Sequence, residues 1–200
     1  ITAMKWFKQS ADQGNRVAQR LLYSKRFVLA IIYESGIYGA QQNIAKAAWL
    51  YAQCSKTFDS VDPKMMGGFS RGETQYRLGI LYEIGGGELG FKQDLVKAVQ
   101  LFRESGDLGY AEAKYRLGEI TFYGKLGIEQ DVLKALDLYQ ESAKLGNVDA
   151  KTRIKQAMVT LVESTEACAE KGDARSIKLK KWLDKLTPTQ LDGEAPFVLG

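Results

Sequence analysis

Histidine is absent from all 200 residues. That gap removes the commonest general base, the usual zinc ligand and every Ser-His or Cys-His nucleophile. Only carboxylate, lysine or tyrosine chemistry remains, and neither a catalytic set nor a metal or cofactor site is expected. Cysteine is almost as scarce, with Cys54 and Cys168 far apart in the chain. No cysteine pair recurs, so the chain is not a disulfide scaffold. One long-range bridge or two buried thiols acting as small hydrophobes are the readings left, and the second is expected. There is also no apolar run near the ~18 residues that cross a bilayer, and no signal segment opens the chain. It enters at Ile1 in mid-pattern and reads as an excised piece. Both a cytoplasmic and a secreted or periplasmic setting stay open, with any signal lying upstream. Excess charge is lacking too: the net value is +4, mixed along the length, which argues against nucleic acid as the main partner.

What the chain does have is repetition. Gly87 to Asp94 reads Gly-Glu-Leu-Gly-Phe-Lys-Gln-Asp, and Gly124 to Asp131 reads Gly-Lys-Leu-Gly-Ile-Glu-Gln-Asp. A weaker copy runs from Gly36 to Asn43. Each is followed by a Lys-Ala pair, ending at Ala47, Ala98 and Ala135, and two are preceded by Tyr-Arg-Leu-Gly ending at Gly79 and Gly118. A period of about 40 residues describes small units stacked on their neighbours instead of one closed core.

Each repeat reads as a helical hairpin. In the fourth, helix A carries Ala113, Leu117 and Ile120 at helical spacing, and helix B carries Ala135, Leu138, Tyr139 and Ala143. Gly118 inside helix A should cost about 1 kcal/mol relative to Ala. Its recurrence at Gly79, with Ala30 in the same place, implies a close approach of the partner helix. Asp131, Asp94 and Asn43 are placed to N-cap the B helices. The third repeat places Thr74, Leu78 and Leu81 on A and Ala98, Leu101 and Phe102 on B. The second places Leu29 on A and Ala47, Leu50 and Tyr51 on B. The first is only a B helix with Ala3, Trp6, Phe7 and Ala11. The second repeat is seven residues longer between its glycine and Ala30, close to two turns, so its A helix should span about 16–35. Residues 56–71 read as a loop insertion. Beyond Gly146 the phrase ends; a long helix over 150–170, with Ile154, Ala157, Met158, Leu161 and Val162 inward, and a second over 174–186 should cap the array. The expected organisation is 1–148 repeats, 149–186 cap and 187–200 tail.

These phrases resemble the Sel-one-like repeat, a branch of the tetratricopeptide-like α/α solenoids, over roughly residues 1–154. Leu78-Gly79, Tyr82, Asp94 and Lys97-Ala98 carry the resemblance, as do Leu117-Gly118, Asp131, Lys134-Ala135, Tyr139 and Ala143 to Gly146. The resemblance implies an all-α, right-handed superhelical solenoid with a C-terminal helical cap. It also implies non-enzymatic adaptor work: holding a peptide or loop of another protein.

Helix A usually lines the concave side of such stacks. Val28, Arg77, Arg116 and Arg153 align there, with Ile31, Ile80, Glu119 and Gln156 three residues on and therefore on the same face. The arginines could offer forked donors to a partner's carboxylates; the plainer reading is a solvated face on which arginine serves as a helix former. Trp6, Tyr51, Phe102 and Tyr139 are read as equivalent B-helix core positions. Arg175, Lys178 and Lys181 near Trp182 form a basic cap face. The alternative function rests on them: an envelope- or membrane-associated assembly factor docking indirectly through that cap.

Overall fold

The computed structural model describes residues 2–57, 70–86, 91–170 and 180–181. Among them the chain is helical throughout, in eight long helices: α1 (Thr2–Asp12), α2 (Arg16–Ser35), α3 (Ile44–Thr57), α4 (Arg71–Ile84), α5 (Leu95–Asp107), α6 (Ala111–Tyr123), α7 (Val132–Lys144) and α8 (Val148–Ala169). They fall into two compact bodies, residues 1–109 and 110–200. Of the expected helix over 174–186 only 180–181 are described, and both are helical; the tail and residues 58–69 of the insertion lie outside the described residues.

The capping residues work as their chemistry requires. Asp94 and Asp131 accept from the Lys97 and Lys134 amides at 2.9 and 3.0 Å. Asn43 does the same for Lys46 at 2.9 Å. The weak second copy of the turn phrase folds like the fourth. Gly36, Tyr38 and Gly39 have φ of 66°, 55° and 75°, against 64°, 54° and 77° at Gly124, Leu126 and Gly127. Tyr38 and Leu126 thus tolerate a left-handed conformation that costs a non-glycine residue about 1 kcal/mol or more. In both turns a glutamine closes the loop, Gln42 onto the Glu34 carbonyl at 2.8 Å and Gln130 onto the Phe122 carbonyl at 3.0 Å. Gly14-Asn15 and Gly146-Asn147 each do two jobs. The glycine turns the chain at positive φ, and the asparagine N-caps the following helix, α2 or α8.

In the first body α2 pairs with α3, α4 with α5, and α3 packs on α4. Its core holds Tyr23, Phe27, Ala30, Ala47, Tyr51, Cys54, Leu78, Leu81 and Leu101. In the second body α6 pairs with α7 and α7 with α8. Here Ala135, Leu136, Tyr139, Ala150, Ile154, Ala157, Met158 and Leu161 form the core. The recurrent glycines have the packing reason their position implies. A Cβ on Gly79 would stand 2.7 Å from the Phe102 ring, and one on Gly118 would stand 2.5 Å from the Tyr139 ring.

Four side chains differ from expectation. Trp6 is 67% exposed: the B-helix aromatic position is filled one residue later by Phe7, which lies seven residues before Gly14 as Tyr139 lies seven before Gly146. Leu29 is exposed, because α2 turns Tyr23, Phe27 and Ala30 inward instead. Leu138 is half-buried, and Leu136 takes its place in the core. The thiols are both free, but only Cys54 is buried. Burial pushes the Cys54 thiol up to about 12, so it stays protonated and inert.

The cap at Asp131 gives a direct test. Asp131→Ala should lose about 1 kcal/mol in chemical denaturation, while Asp131→Asn, the residue the second repeat uses at Asn43, should lose far less. Equal losses would show that the cap bond does not set the start of α7.

Candidate partner-binding surface

The A-helix rows are built within each body. In the first, α2 presents Val28 exposed and Ile31 half-buried, and α4 presents Arg77 and Ile80, both half-buried. In the second, α6 presents Arg116 and Glu119 half-buried, and α8 presents Arg153 half-buried with Gln156 exposed. Of the basic cap, Lys181 is exposed on helical backbone; Arg175 and Lys178 lie outside the described residues.

Arg77 and Arg153 are held in matching clusters. Arg77 donates from Nε to Glu73 at 3.0 Å and from Nη1 to Glu34 of α2 at 3.4 Å. Its guanidinium carbon lies 5.9 Å from the Phe27 ring centroid. Glu34 in turn accepts from the Tyr51 hydroxyl of α3 at 2.6 Å. The second body repeats the device. Arg153 donates from Nη2 to Glu119 of α6 at 2.6 Å and from Nη1 to Gln156 at 2.7 Å. Glu119 accepts from the Tyr139 hydroxyl of α7 at 2.6 Å. Each cluster ties a B-helix tyrosine, an A-helix glutamate and the arginine of the next A helix.

Electrostatics follow the geometry. Burial costs the Arg77 guanidinium some of its basicity, but Tyr51, Glu73 and Glu34 more than compensate, so it is held above its usual range. Arg153 is raised as well, led by its hydrogen bond to Tyr115 and supported by Tyr123 and Glu119. Tyr51 and Tyr139 are pushed well above the usual phenol range, first by burial and then by the glutamate each faces. Tyr23 is raised too, chiefly by burial. Thr74 gives its hydroxyl proton to the Ser70 carbonyl at 3.1 Å, which leaves it to accept from Tyr23 at 2.6 Å. These phenols hold their protons and act as donors, not bases.

Sequence reasoning brought out the arginines but missed Glu34, Glu73, Tyr51, Tyr115 and Tyr139 as their partners. One signal was available. The B-helix aromatic is tyrosine at Tyr51 and Tyr139 but phenylalanine at Phe102, and a fully buried hydroxyl needs an acceptor. Among the described residues, no group of three His, Cys, Asp or Glu stands where it could hold a metal ion. No described helix is long and apolar enough to cross a membrane.

The family model for the Sel1 repeat matches residues 1–15, 27–53, 72–110 and 111–147. The structure is similar to a Sel1 repeat protein from Oxalobacter formigenes, with TM-score 0.53 and 24% identity over 78% of this chain and 54% of that one. It is also similar to a protective antigen present in uropathogenic Escherichia coli strains that displays an SLR fold. That match has TM-score 0.54 and 22% identity over 96% of this chain and 37% of the other. The chain thus spans about half the first structure and little more than a third of the second. At these identities the likeness is one of fold, and it assigns the all-α architecture to the α/α solenoid class. A search of curated proteins finds no match.

Alkaline titration tests the tyrosine environments. Tyr23, Tyr51 and Tyr139 have folded-state pKa values raised above the ordinary phenol value of 10.0. Below that pH both states keep the protons and stability is unaffected. Above it the unfolded chain releases protons that the folded chain retains, so stability falls. Phenolate absorbance should therefore leave these three silent until the helices melt. Tyr139→Phe should remove part of the alkaline loss and cost about 1.5–3 kcal/mol at neutral pH, the value of a hydrogen bond to a charged group. Early titration of all tyrosines would refute the buried placement.

Proposed function

The chain belongs to the Sel1 repeat family, and we propose that it works as a non-enzymatic scaffold that takes a segment of a partner protein along its A-helix rows. Family membership carries this reading, because Sel1 repeats generally serve as protein–protein interaction modules. The side chains support it in a particular way. Val28 stands exposed, and Ile31 and Ile80 are half-buried, so the rows carry apolar contact area on helices that pack against the core. Arg77 and Arg153 retain side-chain exposures of 33% and 24% while clamped to Glu34 and Glu119. Their orientation is therefore set before any partner arrives, which lowers the entropic cost of binding. A partner carboxylate would meet a preorganised donor, and Arg116 on α6 extends the same chemistry.

Charge reversal of Arg77 would disturb the clamp as well as the surface, so an apolar position makes the cleaner probe. A photo-crosslinking residue placed at Val28 or Ile80 of the full chain, in its native source, should yield a discrete adduct with one protein. The same residue at Val96, which is 79% exposed on the B helix α5, should not. Equal labelling at all three positions, or none at Val28 and Ile80, would remove the A-helix rows from partner binding.

A further inference from the structure

One A helix, α2, carries a pattern that the hairpin uses only in part, through Ile31, which packs against the core. α2 spans 20 residues where α4 has 14 and α6 has 13. Its buried side is Ala18, Gln19, Leu22, Tyr23, Phe27 and Ala30. On the opposite side Val17, Leu21 and Val28 are 67%, 38% and 45% exposed. At 100° per residue these three fall within roughly 40° of one another. With Ser24 and Ile31 between and beyond them, the spacing runs four, three, four, three, which is the a/d seam of a coiled coil. The seam covers about 21 Å of helix at 1.5 Å per residue. Ser24 does not interrupt it chemically, because its hydroxyl turns back onto the Arg20 carbonyl at 3.0 Å.

The charge around the seam is of one sign. From Arg16 to Tyr33 the helix holds Arg16, Arg20, Lys25 and Arg26 and no carboxylate. Arg20 and Lys25 flank the seam on its two sides, in the positions where coiled-coil partners place complementary charges. Lys25 Nζ is held 4.6 Å from the Phe7 ring centroid, so that flank is positioned by α1.

We propose that this face of α2 binds an acidic amphipathic α-helix of a partner protein, whose apolar ridge meets Val17, Leu21, Val28 and Ile31 and whose carboxylates face Arg20 and Lys25. The inference rests on the reading of the A-helix rows as the partner surface and names the partner's chemistry. A second copy of this chain fits poorly, since Arg20 and Lys25 would face like charges. A membrane surface fits less well: the four apolar positions span about 80°, short of the stripe of about 100° or more that an interfacial helix presents.

The test uses the full chain and two labelled synthetic helices of about three heptads each, with leucine at a and d. One carries glutamate at e and g, the other lysine. Fluorescence anisotropy should show binding of the acidic helix, weakening at high salt, and none of the basic one. The doubly substituted Leu21→Ser, Val28→Ser chain should lose about tenfold or more in affinity, as expected for two lost apolar contacts. Arg20→Glu should weaken it several-fold; circular dichroism verifies that both variants remain folded. The inference is overturned by equal binding of both helices, by unchanged affinity in the variants, by sedimentation with phosphatidylserine vesicles that depends on Leu21 and Val28, or by Leu21-dependent self-association. If the acidic helix fails while the Val28 and Ile80 crosslinks persist, only the partner's chemistry is wrong. If both fail, the scaffold reading falls with it.

Discussion

One steric constraint organises both bodies: a B-helix aromatic ring seats against an A-helix residue with little or no side chain. The Phe102 ring occupies the space a Cβ on Gly79 would need, and the Tyr139 ring occupies that of Gly118. Tyr51 is likewise fully buried in the cluster that holds Ala30. Glycine inside a helix is unfavourable by about 1 kcal/mol, and the ring contact it permits offsets that cost. The depth of the ring then sets everything farther out. A seated tyrosine brings its hydroxyl to Glu34 or Glu119, and the glutamate fixes the arginine of the next A helix.

The clusters therefore couple one hairpin to the next through groups that are partly withdrawn from water. An exposed arginine–glutamate pair contributes little. Here the glutamates keep exposures of only 21% and 14%, and each also accepts a hydrogen bond from a tyrosine hydroxyl. Removing the glutamate alone would leave the buried tyrosine hydroxyl without its acceptor and each arginine with its lesser set of partners, Glu73 for Arg77 and Gln156 for Arg153. Arg77 and Arg153 consequently present only their outer edge to solvent; under the proposed scaffold role, specificity would fall to the apolar positions and to charges such as Arg20.

Much of this was legible in the chain. The turn phrases located the hairpins, the seven-residue excess put α2 at 16–35, and Asp94, Asp131 and Asn43 marked the helix starts. The recurrent glycine announced a close contact, because nothing else rewards glycine in mid-helix. The glutamates were harder. Glu34 lies four residues past Ala30, whereas Glu119 follows Gly118 directly, so the two are one helical turn apart and never align in a column. Both still reach the tyrosine, since a long side chain spans a turn. Trp6 misled because its neighbour Phe7 is also aromatic, and composition cannot decide a register of one residue. Leu29 misled because α2 is longer than its counterparts and offers more apolar residues than the core can take.

The decisive measurement is a double-mutant cycle on Gly118 and Tyr139, read by chemical denaturation. Gly118→Ala in the natural background should destabilise by about 1–3 kcal/mol, the usual cost of overpacking. With Tyr139→Leu already in place the same change should be neutral, or should stabilise by up to about 1 kcal/mol through helix propensity. The difference would be a coupling of about 1 kcal/mol or more. Gly118→Ala having the same effect in both backgrounds would contradict the account, because the ring would then not be what the glycine accommodates.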